Sequence, residues 1–401
     1  MTMHNTQQDN RVHGFVYDPI AFAGGSKVAT AEMLTVCGDK NVRFTILTST
    51  PSSWSHIKKS NPDTSIISLA NWSFLSQANG IRYWFAQLYF ASMIFFTLLR
   101  IKRIDYAVGA SGPGIDMALY ICRLMLHFPI IQLIHGPVAP SRAIGYCLSQ
   151  AKKVFYLEST YQSIVNALYA YFSLTTDPGQ NCAMAKLSID DSQLQVFTNG
   201  ISQSQWPVSA CYQSKRIFWA ASLLEWKGLD ILLSAIDPKF THSHLVADIC
   251  YIRPTSTQLG VSELPKNWSN VSLYESPSNL DQIRSQCGVF VSTSDNEPFG
   301  LSILESLAAG LSVVIPEDGA YWDKKLTHGV NCLKYNPRDE LSLRTTLELL
   351  QRSTELRASL SIEGKRIAEC YRAERCYAHI TKCLLTGRTE LSHMQNTLGV
   401  H

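Results

Sequence analysis

The sequence predicts an α/β protein of two doubly wound, Rossmann-like domains facing each other across a cleft. Three observations lead there. Short β-rich runs alternate with longer helical stretches, the pattern of a parallel sheet covered by helices. A polar, irregular stretch, ISQSQWPVSACYQSK at 201–215, breaks that rhythm, which then restarts. At 401 residues the chain is also long enough for about two or three domains.

The expected strands of the first half are RVHGFVYD (11–18), VRFTILTST (42–50), SIISLA (65–70), IDYAVGAS (104–111), PIIQLIHG (129–136), KKVFYLES (152–159) and LQVFTNG (194–200). Those of the second half are RIFWAAS (216–222), HLVADICY (244–251), VSLYES (271–276), GVFVSTS (288–294) and LSVVIPE (311–317). Each is a run of six to nine residues rich in β-branched and aromatic types, as strands buried on both faces require. The resulting division is 1–205, 206–370, and a C-terminal helix and tail at 371–401 expected to pack back toward the N-terminal domain.

Composition narrows the function classes. The apolar share is 46% and the charged share 17%, so sizeable cores are affordable. A net charge of +3 without a long basic run speaks against nucleic-acid binding and permits a mild preference for anionic ligands. Eleven cysteines, scattered from Cys37 to Cys383 with no Cys-x-x-Cys pair, point to reduced thiols and against a disulfide frame or zinc site. The polar start MTMHNTQQDN, followed by a strand, shows no secretory signal, and a cytoplasmic location is expected.

Residues 83–99, YWFAQLYFASMIFFTLL, are nearly all apolar and are flanked by Arg82, Arg100, Lys102 and Arg103. Seventeen residues sit at the lower limit for a membrane span. A span would divide strands that read as one sheet, so a buried or partly buried helix is the leading reading. A helix lying on an anionic membrane, through 83–103, is the alternative and would place the protein at the inner face of the plasma membrane.

In doubly wound sheets, ligands bind beyond the carboxyl ends of the strands. Four loops there carry unusual chemistry: FAGGSK (22–27), IHGP (134–137), ASLLEWKG (221–228) and SDNEPFGLSILESLAAGLSVVIPEDG (294–319). In the last, GLSILESLAAG reads as a helix closed by Gly310, and its first N–H groups around Phe299, Gly300 and Leu301 form an anion site. Glu297 precedes that helix and Glu305 lies one turn in, so the two carboxylates can serve different parts of one extended ligand. Both are alternatively solvent-facing charges, but Glu305 stands among apolar residues, and a partly buried carboxylate needs a partner. Lys227 sits where a strand-loop unit enters a helix and can reach a phosphate. Gly24 and Gly25 stand at a strand-to-helix turn where the backbone can approach a pyrophosphate, although the pattern is not Gly-x-Gly-x-x-Gly. His135 follows a buried strand and reads equally as a structural cap. His242 and His244 form a His-x-His with no third ligand nearby and read as surface residues.

Together these loops resemble the retaining family 4 glycosyltransferases with the GT-B fold, through FAGGS, LIHGP, VFTNGIS, ASLLEWKGLDILLSAI, NEPFGLSILESLAAGLSVVIPEDGA and LTHGVNCLKYNPRD. The resemblance runs over about 11–380. It is most specific in the Glu-x7-Glu block, where Glu297, Phe299, Gly300 and Glu305 match in order and spacing. It implies that Glu305 holds the ribose hydroxyls of a nucleotide. Lys227, the Phe299-Gly300-Leu301 amides and the Gly24-Gly25 turn would hold the diphosphate, while Glu297 and His135 would face the transferred sugar.

Two departures stand out. Ser222 occupies the place where the family usually has a diphosphate-binding Arg, and YIRPT (251–255) replaces the usual Gly-Asp-Gly-Pro turn. Either Arg253 or Lys27 supplies the missing cation, or the donor is held more weakly. With no Asp-x-Asp motif, neither metal nor cofactor is expected, and the resemblance implies retention by front-face attack. The expected partners are a nucleotide sugar and a glycan or lipid-linked glycan acceptor of polysaccharide, lipopolysaccharide or glycolipid assembly. The rivals are a sugar-nucleotide epimerase of the same fold and a catalytically silent scaffold subunit.

Overall fold

The computed structural model describes residues 11–21, 24–38, 41–70, 80–101, 103–173, 193–240, 244–254, 259–265 and 268–386. The chain divides into two compact units. Met1–Ala21, Ser26–Phe197 and Tyr377–His401 form the first; Phe22–Gly25 and Thr198–Cys376 form the second.

The first unit is built on a sheet of seven described strands: β1 (Val12–Asp18), β2 (Val42–Thr48), β3 (Ser65–Ser68), β4 (Tyr106–Gly109), β5 (Ile130–Ile134), β6 (Lys153–Leu157) and β7 (Leu194–Phe197). Their order is β3-β2-β1-β4-β5-β6-β7, every pair parallel. All seven residues of β1 are buried, as the central strand of a sheet covered on both faces must be. Gly14 is required there, because a Cβ would stand 2.8 Å from Tyr106 Cε2. Helices Gly25–Cys37, Gly80–Ile101, Met117–Leu126, Arg142–Gln150 and Tyr161–Phe172 make the crossovers.

Helix Gly80–Ile101 contains the apolar stretch and lies in sequence between β3 and β4 of this single sheet. Ala86, Phe90, Ile94 and Leu98, spaced by four, bury one face in the core, and the Gln87 side-chain oxygen accepts from Ala118 N at 3.0 Å. The opposite face is open: Ile81, Trp84, Phe85, Leu88, Phe96 and Leu99 are exposed. By length and composition the helix could cross a membrane, but its inner face is core of the unit, the partly buried arrangement.

The second unit has six described strands, β8 (Ile217–Ser222), β9 (Ala247–Ile252), β10 (Val271–Glu275), β11 (Val289–Val291), β12 (Ser312–Pro316) and β13 (Leu333–Tyr335). Their order is β10-β9-β8-β11-β12-β13, again wholly parallel. Strand β13 was not expected: three residues are too few to carry a periodic signal. Trp219, Leu229, Leu232, Ile249 and Leu347 fill the core between sheet and helices. Both sheets reverse strand order once, between β1 and β4 and between β8 and β11. Two parallel doubly wound sheets with interleaved helices make this a two-domain α/β fold.

Candidate active site

The switch point of the second sheet lies outside the carboxyl ends of β8 and β11, where a ligand crevice is expected. After Ser222 the chain makes one tight turn, Glu225–Lys227, and reaches Gly228 at φ 66°. A Cβ on Gly228 would stand 2.3 Å from the Thr293 carbonyl oxygen, so glycine lets the two loops touch. Two hydrogen bonds then fasten the Lys227 loop to the segment after β11, and another ties that segment to β8. Trp219 Nε1 donates to Thr293 Oγ1 at 3.0 Å, Thr293 Oγ1 donates to the Lys227 carbonyl at 2.8 Å, and Asp295 N donates to the Trp226 carbonyl at 2.8 Å. The Lys227 ammonium lies 3.9 Å from the Trp226 ring centroid and forms an ion pair with Glu297.

Two left-handed residues, Asn296 (φ 51°) and Gly300 (φ 78°), turn the chain from β11 into helix Leu301–Ala309. Asn296 N donates to Asp318 Oδ2 at 3.1 Å, and burial raises the Asp318 pKa above the usual carboxyl value. Gly300 is the N-cap and offers no side-chain acceptor, while its carbonyl accepts from Ile303 N, Leu304 N and Trp322 Nε1. The helix therefore presents its positive end at Glu297, in the geometry that receives phosphate. Ser302 Oγ donates to the Ala220 carbonyl at 2.9 Å and ties this helix start to β8. Gly310 closes the helix at φ 86°.

Phe299 acts here as an anchor through its ring, which is buried with centroids 4.8 Å from Tyr321 and 5.4 Å from Trp322. Glu305 is 27% exposed, and its Oε2 accepts from Arg284 Nη1 at 2.5 Å. Ser222 pairs in register with Ile252, which puts Arg253 just beyond the end of β9. Its guanidinium lies 3.5 Å from Glu275 on β10, on the side of β9 away from β8 and β11. Lys27 is not a free cation. It is buried, paired with Asp18 at 2.9 Å, and donates to the Ile20 carbonyl and Thr50 Oγ1, because a buried ammonium must be compensated. The idea that Lys27 replaces the missing arginine is thereby corrected.

Gly24 and Gly25 are grouped with the second unit. Gly25 needs no positive φ, and a Cβ there would meet Leu301 Cδ1 at an ordinary 3.8 Å. His135, in the first unit, directly follows β5. Thr30 Oγ1 donates to the Ser26 carbonyl at 2.9 Å, so toward His135 Nε2, 3.1 Å away, the same oxygen is the acceptor. The proton of neutral His135 therefore sits on Nε2, leaving Nδ1 as a buried acceptor with no partner among the described residues. Burial lowers the imidazole pKa to about 4, so the ring is neutral at physiological pH.

The second unit thus brings Lys227 and Glu297 together beside Gly300 and Leu301 at the start of helix Leu301–Ala309, with Ser222 at the end of β8; Glu305 stands one turn further along that helix and contacts Arg284 instead. Sequence reasoning missed Trp226 and Arg284. Trp226 could have been noticed as the aromatic neighbour of Lys227; Arg284, on a one-and-a-half-turn helix, gave no signal. Among the described residues no group of three or more His, Cys, Asp or Glu could hold a metal ion; His244 is exposed and His242 lies outside the described residues.

Residues 214–352 match the family model described as Glycosyl transferases group 1. No curated protein matches. Among solved structures, Alr3699/HepE of Anabaena in complex with UDP and glucose superposes with a TM-score of 0.66 at 15% identity, over 93% of this chain and 99% of that one. A glycosyltransferase from Rickettsia africae gives 0.65 at 14% identity, over 94% and 99%. Sucrose-phosphate synthase from Thermosynechococcus elongatus gives 0.64 at 11%, over 96% and 100%. These likenesses show the two-domain fold, and the residues that match the family model fall within its second unit.

Proposed function

We propose that the protein is a retaining, metal-independent glycosyltransferase of family 4, of hexosyltransferase type. It moves a sugar from a nucleotide diphosphate to an acceptor hydroxyl in polysaccharide, lipopolysaccharide or glycolipid assembly. The observation that carries the reading is the Lys227–Glu297 pair at the open N-terminus of helix Leu301–Ala309, inside the segment that matches the glycosyltransferase model. A cation, a helix dipole and a carboxylate at one sheet end suit a sugar diphosphate: Lys227 and the Gly300-Leu301 amides neutralise the leaving phosphate, and Glu297 stabilises positive charge developing on the sugar. In this reading Glu305 takes the ribose hydroxyls, the Gly24-Gly25 turn admits the diphosphate, and the unprotonated Nδ1 of His135 accepts from a sugar hydroxyl. The departing phosphate oxygen receives the acceptor's proton, so neither metal nor cofactor takes part. UDP-bound HepE supports a nucleotide-sugar donor.

The exposed apolar stripe of helix Gly80–Ile101, with Arg82, Arg100 and Arg103 near its ends, supports peripheral contact with the anionic inner face of the plasma membrane, where a lipid-linked acceptor would be met. The test is a panel of nucleotide sugars with and without EDTA. Thermal stabilisation by one donor, and its turnover undiminished by EDTA, is the expected result. Activity lost in EDTA and restored by magnesium or manganese would overturn metal independence; isomerised donor without acceptor would overturn transfer.

A further inference from the structure

We propose that Arg284 is a positioning residue that holds the Glu305 carboxylate for the donor ribose; this rests on the ribose role given to Glu305 above. Arg284 belongs to helix Leu280–Ser285, immediately before β11, and its side chain is 7% exposed. Nη1 donates to Glu305 Oε2 at 2.5 Å and Nη2 to Asp281 Oδ1 at 2.8 Å. Asp281 Oδ2 accepts in turn from Val208 N at 3.0 Å. The direction of the Glu305 carboxylate is therefore set by a chain of hydrogen bonds that ends on backbone. The same backbone segment also fastens both helices by their last carbonyls, Cys211 N donating to Ser285 O at 2.9 Å and Ala210 N to Ala309 O at 2.8 Å. The helices that carry Arg284 and Glu305 are fixed against a common support.

The pair leaves room for a ligand. Arg284 engages Oε2, so Oε1 and one lone pair of Oε2 remain as acceptors, and the carboxylate is more exposed than the guanidinium. A vicinal diol brings two O–H donors and matches that capacity. Without the guanidinium, the long Glu305 side chain would have to be ordered at the moment of binding, at a cost in rotamer entropy. A merely structural arginine would affect every ligand alike; a residue that aims Glu305 at ribose affects ligands that have the hydroxyls.

The experiment takes the full chain, identifies which of UDP, GDP and ADP it binds, and measures Kd for that nucleotide and for its 2′,3′-dideoxy counterpart in wild type, Arg284→Lys and Asp281→Asn. Wild type is expected to prefer the ribonucleotide about tenfold or more. Arg284→Lys keeps the charge but lacks the planar fork, and should cut that preference about fivefold while changing dideoxy affinity by less than about twofold. Asp281→Asn should act in the same direction more weakly, and decides the matter should Arg284→Lys fail to fold. An unchanged preference, equal losses for both ligands, or tighter ribonucleotide binding, which would mean that Arg284 competes for Glu305, each overturns the proposal. A wild type that binds a nucleotide but does not tell ribose from dideoxyribose overturns the ribose role of Glu305 instead, and one that binds none of the three overturns the nucleotide reading itself.

Discussion

Lys227 and Glu297, 70 residues apart in sequence, form an ion pair in which each side chain is 15% exposed. Desolvating two charges offsets most of what their attraction gives, so the pair adds little to stability. Its chemistry is more informative, because an ammonium held by a carboxylate beside a helix N-terminus can pass to a diphosphate without losing an anionic partner. Glu297→Ala should then lower kcat by about 10² or more, with donor binding kept or improved as Lys227 is released. Steady-state kinetics on a variant of unchanged melting temperature check it. Intact turnover would return Glu297 to the fold.

Ser222 and Arg253 stand at the ends of neighbouring strands, yet Arg253 turns to Glu275 and Lys27 is held by Asp18. Each of these cations already has a carboxylate partner. Ser222→Arg is accordingly expected to tighten nucleotide diphosphate binding about tenfold or more, the worth of a charge-assisted hydrogen bond. Titration calorimetry reads it directly. Weaker binding would mean that Arg253 swings back and crowds the new guanidinium.

How these charges meet was less legible than where the strands run. Val12–Asp18 and Ile217–Ser222 are central strands of parallel sheets, and near-continuous apolar runs announce such strands. Gly310 announced a helix end because a left-handed cap favours glycine. The Lys27–Asp18 and Arg284–Glu305 pairs are different. They depend on which loops the sheet order brings together, and loop spacing alone does not carry that register. The apolar run at 83–99 disclosed a helix, whereas which of its faces stays open followed from its packing on Met117–Leu126.

That open face yields a separate expectation. Phe85 and Leu88 are 66% and 56% exposed, so Phe85→Ser with Leu88→Ser should leave the fold intact. Wild type should cosediment at low salt with vesicles containing phosphatidylserine better than with pure phosphatidylcholine, and the double variant should lose most of that binding. Equal sedimentation of both proteins would remove the helix face from any lipid contact.

Asp116 gives the protein a pH signature distinct from its chemistry. Its carboxyl is fully buried at the start of helix Met117–Leu126, accepts from Gln132 Nε2 at 2.8 Å and Ser111 N at 3.0 Å through Oδ2, and leaves Oδ1 without a partner among the described residues. Burial pushes its pKa from 3.8 up to about 8, against the lowering effect of those hydrogen bonds and with a smaller contribution from Asp18. A carboxyl raised on folding binds its proton more tightly in the native state, so its contribution is complete below the unfolded pKa and is lost as pH rises toward the folded value. His135 runs the other way: lowered from 6.5 to about 4, it costs stability as pH falls through that window. Between about 4 and 6.5 the two slopes oppose each other, and above 6.5 Asp116 acts without that counterweight. Stability should then fall by about 2 kcal/mol between pH 6.5 and 8, at about 1.4 kcal/mol per unit. Asp116→Asn, neutral throughout, should flatten this decline. Melting temperatures across that range, wild type against variant, decide it: parallel curves would show that Asp116 is ionised in the native protein at neutral pH.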